Sequence, residues 1–259
     1  MRAARAGRTL GGMNDSDSWF EAGHVAIVTG ASRGLGRAIA RRLAARGLYL
    51  VITARDGEAL AEITTELRGA TRVEAIPGDV SELEHVHRLI ARANDAFGRL
   101  DLLVNNASTL GHVPMPAVEH LSPAVFQRLF ETNVFAPLHL MQHALPLLIR
   151  SGGTIVNVSS DAALNAYPGW GGYGASKAAL EHLSRTLAAE VDGFGVSILV
   201  VDPGSMDTRM HRDAEPDADF AAMPSPDEIA GSLLRAIAEV RDTFSRVELA
   251  GLLGLAAAS

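Results

Sequence analysis

The 259-residue chain has no cysteine, which excludes a disulfide framework, a thiolate nucleophile and any metal centre built on sulfur ligands. It is almost without lysine: of 23 basic side chains 22 are arginine, and the one ammonium is Lys177. Long apolar runs are missing too. The longest, residues 249–258, falls short of the roughly 18 residues that span a bilayer and is interrupted by glycine. Positive charge is in deficit, with a net charge of −7. The first twelve residues carry Arg2, Arg5 and Arg8 and no acid, so the chain from Met13 onward stands at −10. Such a surface offers nucleic acid and anionic membranes no electrostatic footprint. The basic N-terminus lacks the apolar segment of a secretory signal and reads as a disordered or irregular extension over residues 1–23, with Met13 as an alternative start. A cytoplasmic location is expected. No metal site is expected: His139 and His143 share a helix face but have no third ligand, while His85 and His87, two apart, point to different faces.

What is present is 47% hydrophobic residues and 25 glycines, arranged in alternating short and long apolar segments. β-rich runs occupy 24–29, 48–53, 72–76, 100–104, 154–159, 196–201 and, more weakly, 246–249. Helical periodicity occupies 35–46, 58–68, 82–97, 123–149, 173–191 and 227–240, the fourth of these broken at Pro137. Asp56, Ser81, Ser122 before Pro123, and Ser225 before Pro226 supply helix starts. Continuous apolar strands alternating with helices imply an α/β protein with a doubly wound parallel sheet in three layers. No repeat or linker divides it, so 24–259 is expected to form one domain. Residues 202–228 carry eight acids against Arg209 and Arg212, a local charge of −6, and read as a mobile insertion whose lid lies at about 204–225.

The first strand runs into Thr29-Gly30-Ala31-Ser32-Arg33-Gly34-Leu35-Gly36 and then a helix. Glycines there permit a tight turn and close approach of a pyrophosphate to the helix N-terminus. The spacing Gly-x-x-x-Gly-x-Gly resembles the short-chain dehydrogenase/reductase family. That resemblance implies a Rossmann-like sheet of order 3-2-1-4-5-6-7, with Gly30, Ser32, Arg33, Gly34, Leu35 and Gly36 around the cofactor. Where an acid selecting NAD would end the second strand stands Ala54, followed by Arg55. Arg33 and Arg55 suit a 2′-phosphate, so NADP(H) is expected over NAD(H), with Asp56 as the helix cap rather than a ribose ligand. Asp79 and Val80 match the family's adenine contact. Asn106 and Ala107 match its Asn-Asn-Ala-Gly strand end, except that Ser108 replaces the last glycine and stiffens that turn. Pro203, Gly204 and Thr208 match the segment that meets the nicotinamide carboxamide.

Tyr173-Gly174-Ala175-Ser176-Lys177 sets a phenol and the single ammonium one helical turn apart. Ketone reduction requires a proton donor and the reverse reaction a base, but a phenol of pKa about 10 needs help near neutrality. An ammonium about 4.5 Å away contributes roughly 3.7 kcal/mol at an effective dielectric of 20. The family resemblance implies a set of Asn133, Ser160, Tyr173 and Lys177, in which Lys177 also bonds the nicotinamide ribose. Ser160 would stabilise the substrate oxygen, with Ser159 turned to the other face, and Asn133 would hold a relay water. The substrate wall is expected from Leu110, Met115, Leu164, Tyr167, Trp170 and Met206, with Asp161, Asn165 and His112 as polar points. A small, mostly apolar ketone or secondary alcohol fits it. A polyanionic acyl carrier would be repelled by the acidic lid, leaving a carrier-bound 3-oxoacyl reductase as an alternative beside a redox sensor without turnover. The resemblance also implies a homodimer or homotetramer formed through the helices at 123–149 and 173–191.

Overall fold

The computed structural model describes residues 19–253. Most of the expected 1–23 extension and the tail beyond 253 therefore lie outside the described residues. Of that extension Phe20 is buried in the core, beneath the Arg46 guanidinium at 5.3 Å.

Seven strands form one parallel sheet of order β3-β2-β1-β4-β5-β6-β7, as expected. They are β1 Val25–Thr29, β2 Tyr49–Thr53, β3 Val73–Ala75, β4 Leu102–Asn105, β5 Thr154–Val158, β6 Ser197–Asp202 and β7 Phe244–Glu248. The order reverses between β1 and β4, and a crevice opens there at the carboxyl ends of the strands. Both faces are covered, so the central strands are buried and mostly apolar, and the polar side chains among them pair, Asn105 Nδ2 donating to Asn157 Oδ1 at 2.7 Å. Alternate residues divide between two cores: Ala26 and Val28 join α1 Gly34–Ala45, α2 Gly57–Leu67 and α8 Pro226–Glu239. Val25 and Ile27 join α3 Leu83–Phe97, α5 Ala136–Ser151 and the end of α6 Gly171–Glu190. β7 pairs in parallel with β6, Val247 opposite Val201.

Local chemistry explains most boundaries. Asp56 accepts from the Ala59 N–H to cap α2, and Ser225 with Glu228 forms a reciprocal box before α8. Ser81 does not cap α3. Its N–H and hydroxyl both bond to Asp79 Oδ1, at 2.9 and 2.8 Å, and the helix begins two residues later at Leu83. The helix expected over 123–149 is three pieces: α4 Pro123–Phe130, a π-helical turn Glu131–Phe135, and α5. The backbone stays helical through the π turn, where the Ala136 N–H reaches the Glu131 carbonyl, and Pro137, with no N–H to donate, follows directly in the first turn of α5. The acidic segment holds a short helix α7 Arg209–Ala214, capped by Thr208. Among the described residues no helix is long and apolar enough to cross a membrane.

Candidate active site

The turn between β1 and α1 is shaped by its glycines. Gly30 and Gly34 have φ of 67° and 53°, and a Cβ on Gly36 would collide with the Gly30 carbonyl. Thr29 Oγ1 accepts from the Asn106 and Ala107 N–H groups, both at 3.0 Å, and Asn106 Nδ2 donates to the Thr29 carbonyl at 2.8 Å. The ends of β1 and β4 are thereby fixed to each other. α1 begins without a side-chain cap and without an acid in its first turn, so its leading N–H groups remain available to an anion.

A groove of about 890 Å³ runs along this edge from Arg55 and Asp79 to Tyr173 and Lys177. Every residue expected around the cofactor lines it except two. Gly36 packs beneath the turn, and Gly204 faces a second chamber. Arg33 donates to Asp56 at 2.7 Å and Arg55 lies 4.0 Å from Asp79, with these side chains largely exposed. Exposed pairs of this kind contribute about 0–1 kcal/mol and yield readily to a phosphate. Arg37 and Arg41 also line the groove, held by Glu66. Sequence reading missed them, although a separation of four puts Arg37 and Arg41 on one face of α1, the helix that Arg33 precedes.

The candidate reacting groups follow β5 or lie on α6. Beyond Val158, Ser159 turns inward and donates to buried Glu181 at 2.7 Å. Ser160 points the other way, donating to Asp161 at 3.1 Å. A Cβ at Gly174 would run into the Ala162 carbonyl, so glycine there lets α6 lie against this loop. Tyr173 and Lys177 are both buried on the inner face of α6. Lys177 Nζ donates to the Val158 carbonyl at 2.8 Å and lies 5.5 Å from the Tyr173 ring centre. Asn133, fully buried in the π turn, accepts at Oδ1 from Ser108 Oγ and the Thr109 N–H. Its Nδ2 donates to the Thr109 carbonyl and to Ser176 Oγ. The amide's hydrogen-bonding capacity is thus taken up by protein groups, and the side chain acts as a clamp on the loop after β4.

Burial dominates the protonation of the pair. It pushes Tyr173 up to about 12, with Asp202 and Asp161 adding to the rise and hydrogen bonding from Ser108 and Ser160 opposing it. It pulls Lys177 down to about 8, against the field of Glu181. The expected depression of the phenol by the ammonium is not among these influences, and a site that excludes water penalises both ions.

The second chamber, about 490 Å³, meets the groove at Tyr173. Leu110, Tyr167, Trp170, Met206 and Asp161 line it as expected, joined by Met210, His211, Ala214 and Glu215 from α7 and its C-terminal flank. Met115, Leu164, Asn165 and His112 do not line it. Met115 packs against the small core around Leu129, and Leu164 is turned outward. Among the described residues no cluster suited to a metal occurs, and His143 faces His87 at 3.2 Å.

A parallel sheet with a glycine-rich crevice and a buried tyrosine and lysine beside it is the architecture of a dinucleotide-dependent oxidoreductase. The family model for short chain dehydrogenases matches residues 24–219, and the chain belongs to the short-chain dehydrogenase/reductase family. It is 36% identical over 225 residues to the rhamnolipids biosynthesis 3-oxoacyl-[acyl-carrier-protein] reductase of Pseudomonas aeruginosa, covering 81% of this chain and 87% of that one. A short chain dehydrogenase structure from Pseudomonas syringae superposes with a TM-score of 0.82 at 32% identity, over 89% of this chain and 96% of that one. The alcohol dehydrogenase of Thermococcus sibiricus, solved with 5-hydroxy-NADP, superposes at 0.77 and 31% identity, over 86% and 95%. Oxidoreductases of the family use a nicotinamide cofactor, act on small molecules and are commonly oligomeric.

Proposed function

We propose that the protein is an NADP(H)-dependent oxidoreductase that interconverts a small, mostly apolar ketone and its secondary alcohol, with Tyr173 as general acid and base. One observation carries this reading: among the described residues Tyr173 is the titratable side chain that lines both the dinucleotide groove and the second chamber. The nicotinamide, when bound, supplies or accepts the hydride. The groove fits such a cofactor because its glycine turn leaves room for a pyrophosphate and α1 presents uncapped N–H groups. Arg33 and Arg55, with Ala54 in place of an acid, favour a 2′-phosphate over a bare ribose hydroxyl. Ser160 would donate to the substrate oxygen, and the buried phenol would give up its proton to the developing alkoxide. A phenol near 12 holds that proton at neutral pH, which suits the reductive direction.

The chamber argues for a free substrate. Its carboxylates are Asp161, Asp202 and Glu215, its one basic side chain is His211, and burial raises Asp202. A polyanionic carrier meets repulsion there and at the acidic lid we assign to about 204–225. A panel of free ketones and a carrier-bound 3-oxoacyl thioester, assayed with NADPH and NADH, tests both parts. NADPH should exceed NADH in kcat/KM by about tenfold or more, the scale of one charge-assisted hydrogen bond, and free ketones should exceed the thioester. Preference for NADH overturns the cofactor reading, and preference for the thioester overturns the substrate reading.

A further inference from the structure

The chamber beside Tyr173 carries more negative charge than its own cations balance. Asp161, Asp202 and Glu215 line it, and the basic side chain among its walls, His211, lies 3.8 Å from Glu215. Asp161 is taken up by hydroxyls, accepting from Ser160 at 3.1 Å and from Tyr167 at 2.6 Å, and among the described residues no cation pairs with it. Asp202 is different. Its side chain is only 7% exposed, Oδ1 accepts from the Gly204 N–H at 3.0 Å, and Oδ2 accepts no hydrogen bond from any described residue. Arg246 Nη2 stands 3.8 Å from that oxygen, beyond hydrogen-bond reach, and is itself without a partner. The rest of its guanidinium is held by Glu181 at 3.2 Å and Glu248 at 3.4 Å, so one cation serves three carboxylates. Burial raises Asp202, with Asp161 and Glu248 adding to the rise and the Gly204 N–H and Arg246 opposing it. The same chamber has an aromatic wall. The rings of Tyr167 and Trp170 lie 6.2 Å apart and those of Trp170 and Tyr173 5.8 Å apart, each pair edge to face.

The geometry points to an amine-bearing substrate: a small ketone or secondary alcohol whose protonated amine is taken by Asp202 Oδ2 and the rings of Tyr167 and Trp170 while its carbonyl meets Tyr173. This rests on the reading of the chamber as the substrate site and deepens it. A buried carboxylate with an oxygen left open is costly until a donor reaches it, and a charged donor is worth most there. An ammonium is a compact point of three donors, and aromatic rings attract it through their negative faces. A wholly apolar ligand leaves Asp202 uncompensated, and a carboxylate or phosphate on the ligand adds a further negative charge to the three already present. The apolar remainder of the molecule fits against Leu110, Met206 and Met210.

The test uses methyl ketones of similar size with NADPH: aminoacetone, its uncharged isostere 2-butanone, and the anion acetoacetate. At about pH 6.5, below the pKa of about 8 of an α-amino group, aminoacetone is cationic. Wild type should prefer it over 2-butanone in kcat/KM by about tenfold or more, with acetoacetate the poorest. An ammonium also activates a neighbouring carbonyl, so the decisive quantity is the same preference in Asp202→Asn, which keeps an acceptor for the Gly204 N–H and removes the charge. That preference should fall by about tenfold or more, read as a ratio within one protein so that general damage cancels. A second readout needs neither variant nor turnover: NADPH-saturated wild type, titrated calorimetrically, should bind benzylammonium about tenfold or more tighter than benzoate. A preference unchanged in Asp202→Asn, or benzoate bound as tightly as benzylammonium, overturns the proposal. Benzylammonium bound by a protein that reduces none of the ketones would support the cation site and remove the reading of the reaction instead.

Discussion

Lys177 is the one ammonium in a chain that otherwise uses arginine, and it is buried. A guanidinium stays charged at any accessible pH, whereas a buried ammonium can shed its proton and fits a small corner as a multi-donor point. The cost is measurable as a pH-dependent stability. Folding lowers Lys177 from its ordinary 10.5 to about 8, so the unfolded chain binds the extra proton between those values. The folded state is therefore penalised by about 3 kcal/mol below the lower value, and the penalty disappears as pH rises toward the upper one. Urea denaturation of wild type and Lys177→Met at about pH 7 and about pH 10 should show wild type gaining on the variant as pH rises. A constant difference would mean that Lys177 titrates normally. Tyr173 works in the opposite sense, losing stability as pH rises from its ordinary 10 toward about 12, and it is common to both proteins in that comparison.

At the scale of elements, the turn from β1 into α1 depends on a glycine that faces no ligand. Gly36 lies under the loop, where a methyl group would meet the Gly30 carbonyl and the Asn106 amide. Gly36→Ala should weaken NADPH binding by tenfold or more and lower the melting temperature by several degrees, because the clash pushes the loop off the β4 end. Calorimetric titration and thermal melting check both, and wild-type values in each would refute the packing argument. Elements with strong patterns were legible in the sequence. β1, β2, β5 and β6 form within a residue or two of their apolar runs because burial on both faces leaves no competing pattern. β7 starts earlier than expected, since its half-buried edge residues Phe244 and Ser245 carry no alternation to read. α7 was hidden in an acidic stretch without an apolar stripe, and with it four of the residues that wall the chamber. The one-turn separation of Tyr173 and Lys177 could be read from spacing, and the resemblance supplied the candidate roles of Asn133 and Ser160. Their network was not, because the bonds that occupy Asn133 join residues 24 to 43 apart.

Across the whole molecule, a net charge of −7 is spread unevenly. The groove mixes both signs, Arg33, Arg37, Arg41, Arg55, Arg209 and Lys177 beside Asp56, Asp79, Asp207, Asp213 and Asp227, while the chamber beyond it has Asp161, Asp202 and Glu215 against His211. The basic groups that a phosphate needs lie in the groove and the chamber leans acidic, with Tyr173 at their junction. The proposed chemistry converges on one side-chain oxygen, and Tyr173→Phe removes that atom while leaving the ring packed against Trp170 at 5.8 Å. The decisive measurement is NADPH consumption by wild type and Tyr173→Phe with the best ketone of the panel, beside NADPH affinity measured by fluorescence. A proton-donating phenol requires a loss of at least about a hundredfold in kcat, the low end for general acid catalysis, with affinity changed by less than about threefold. Turnover preserved in the phenylalanine variant would contradict it.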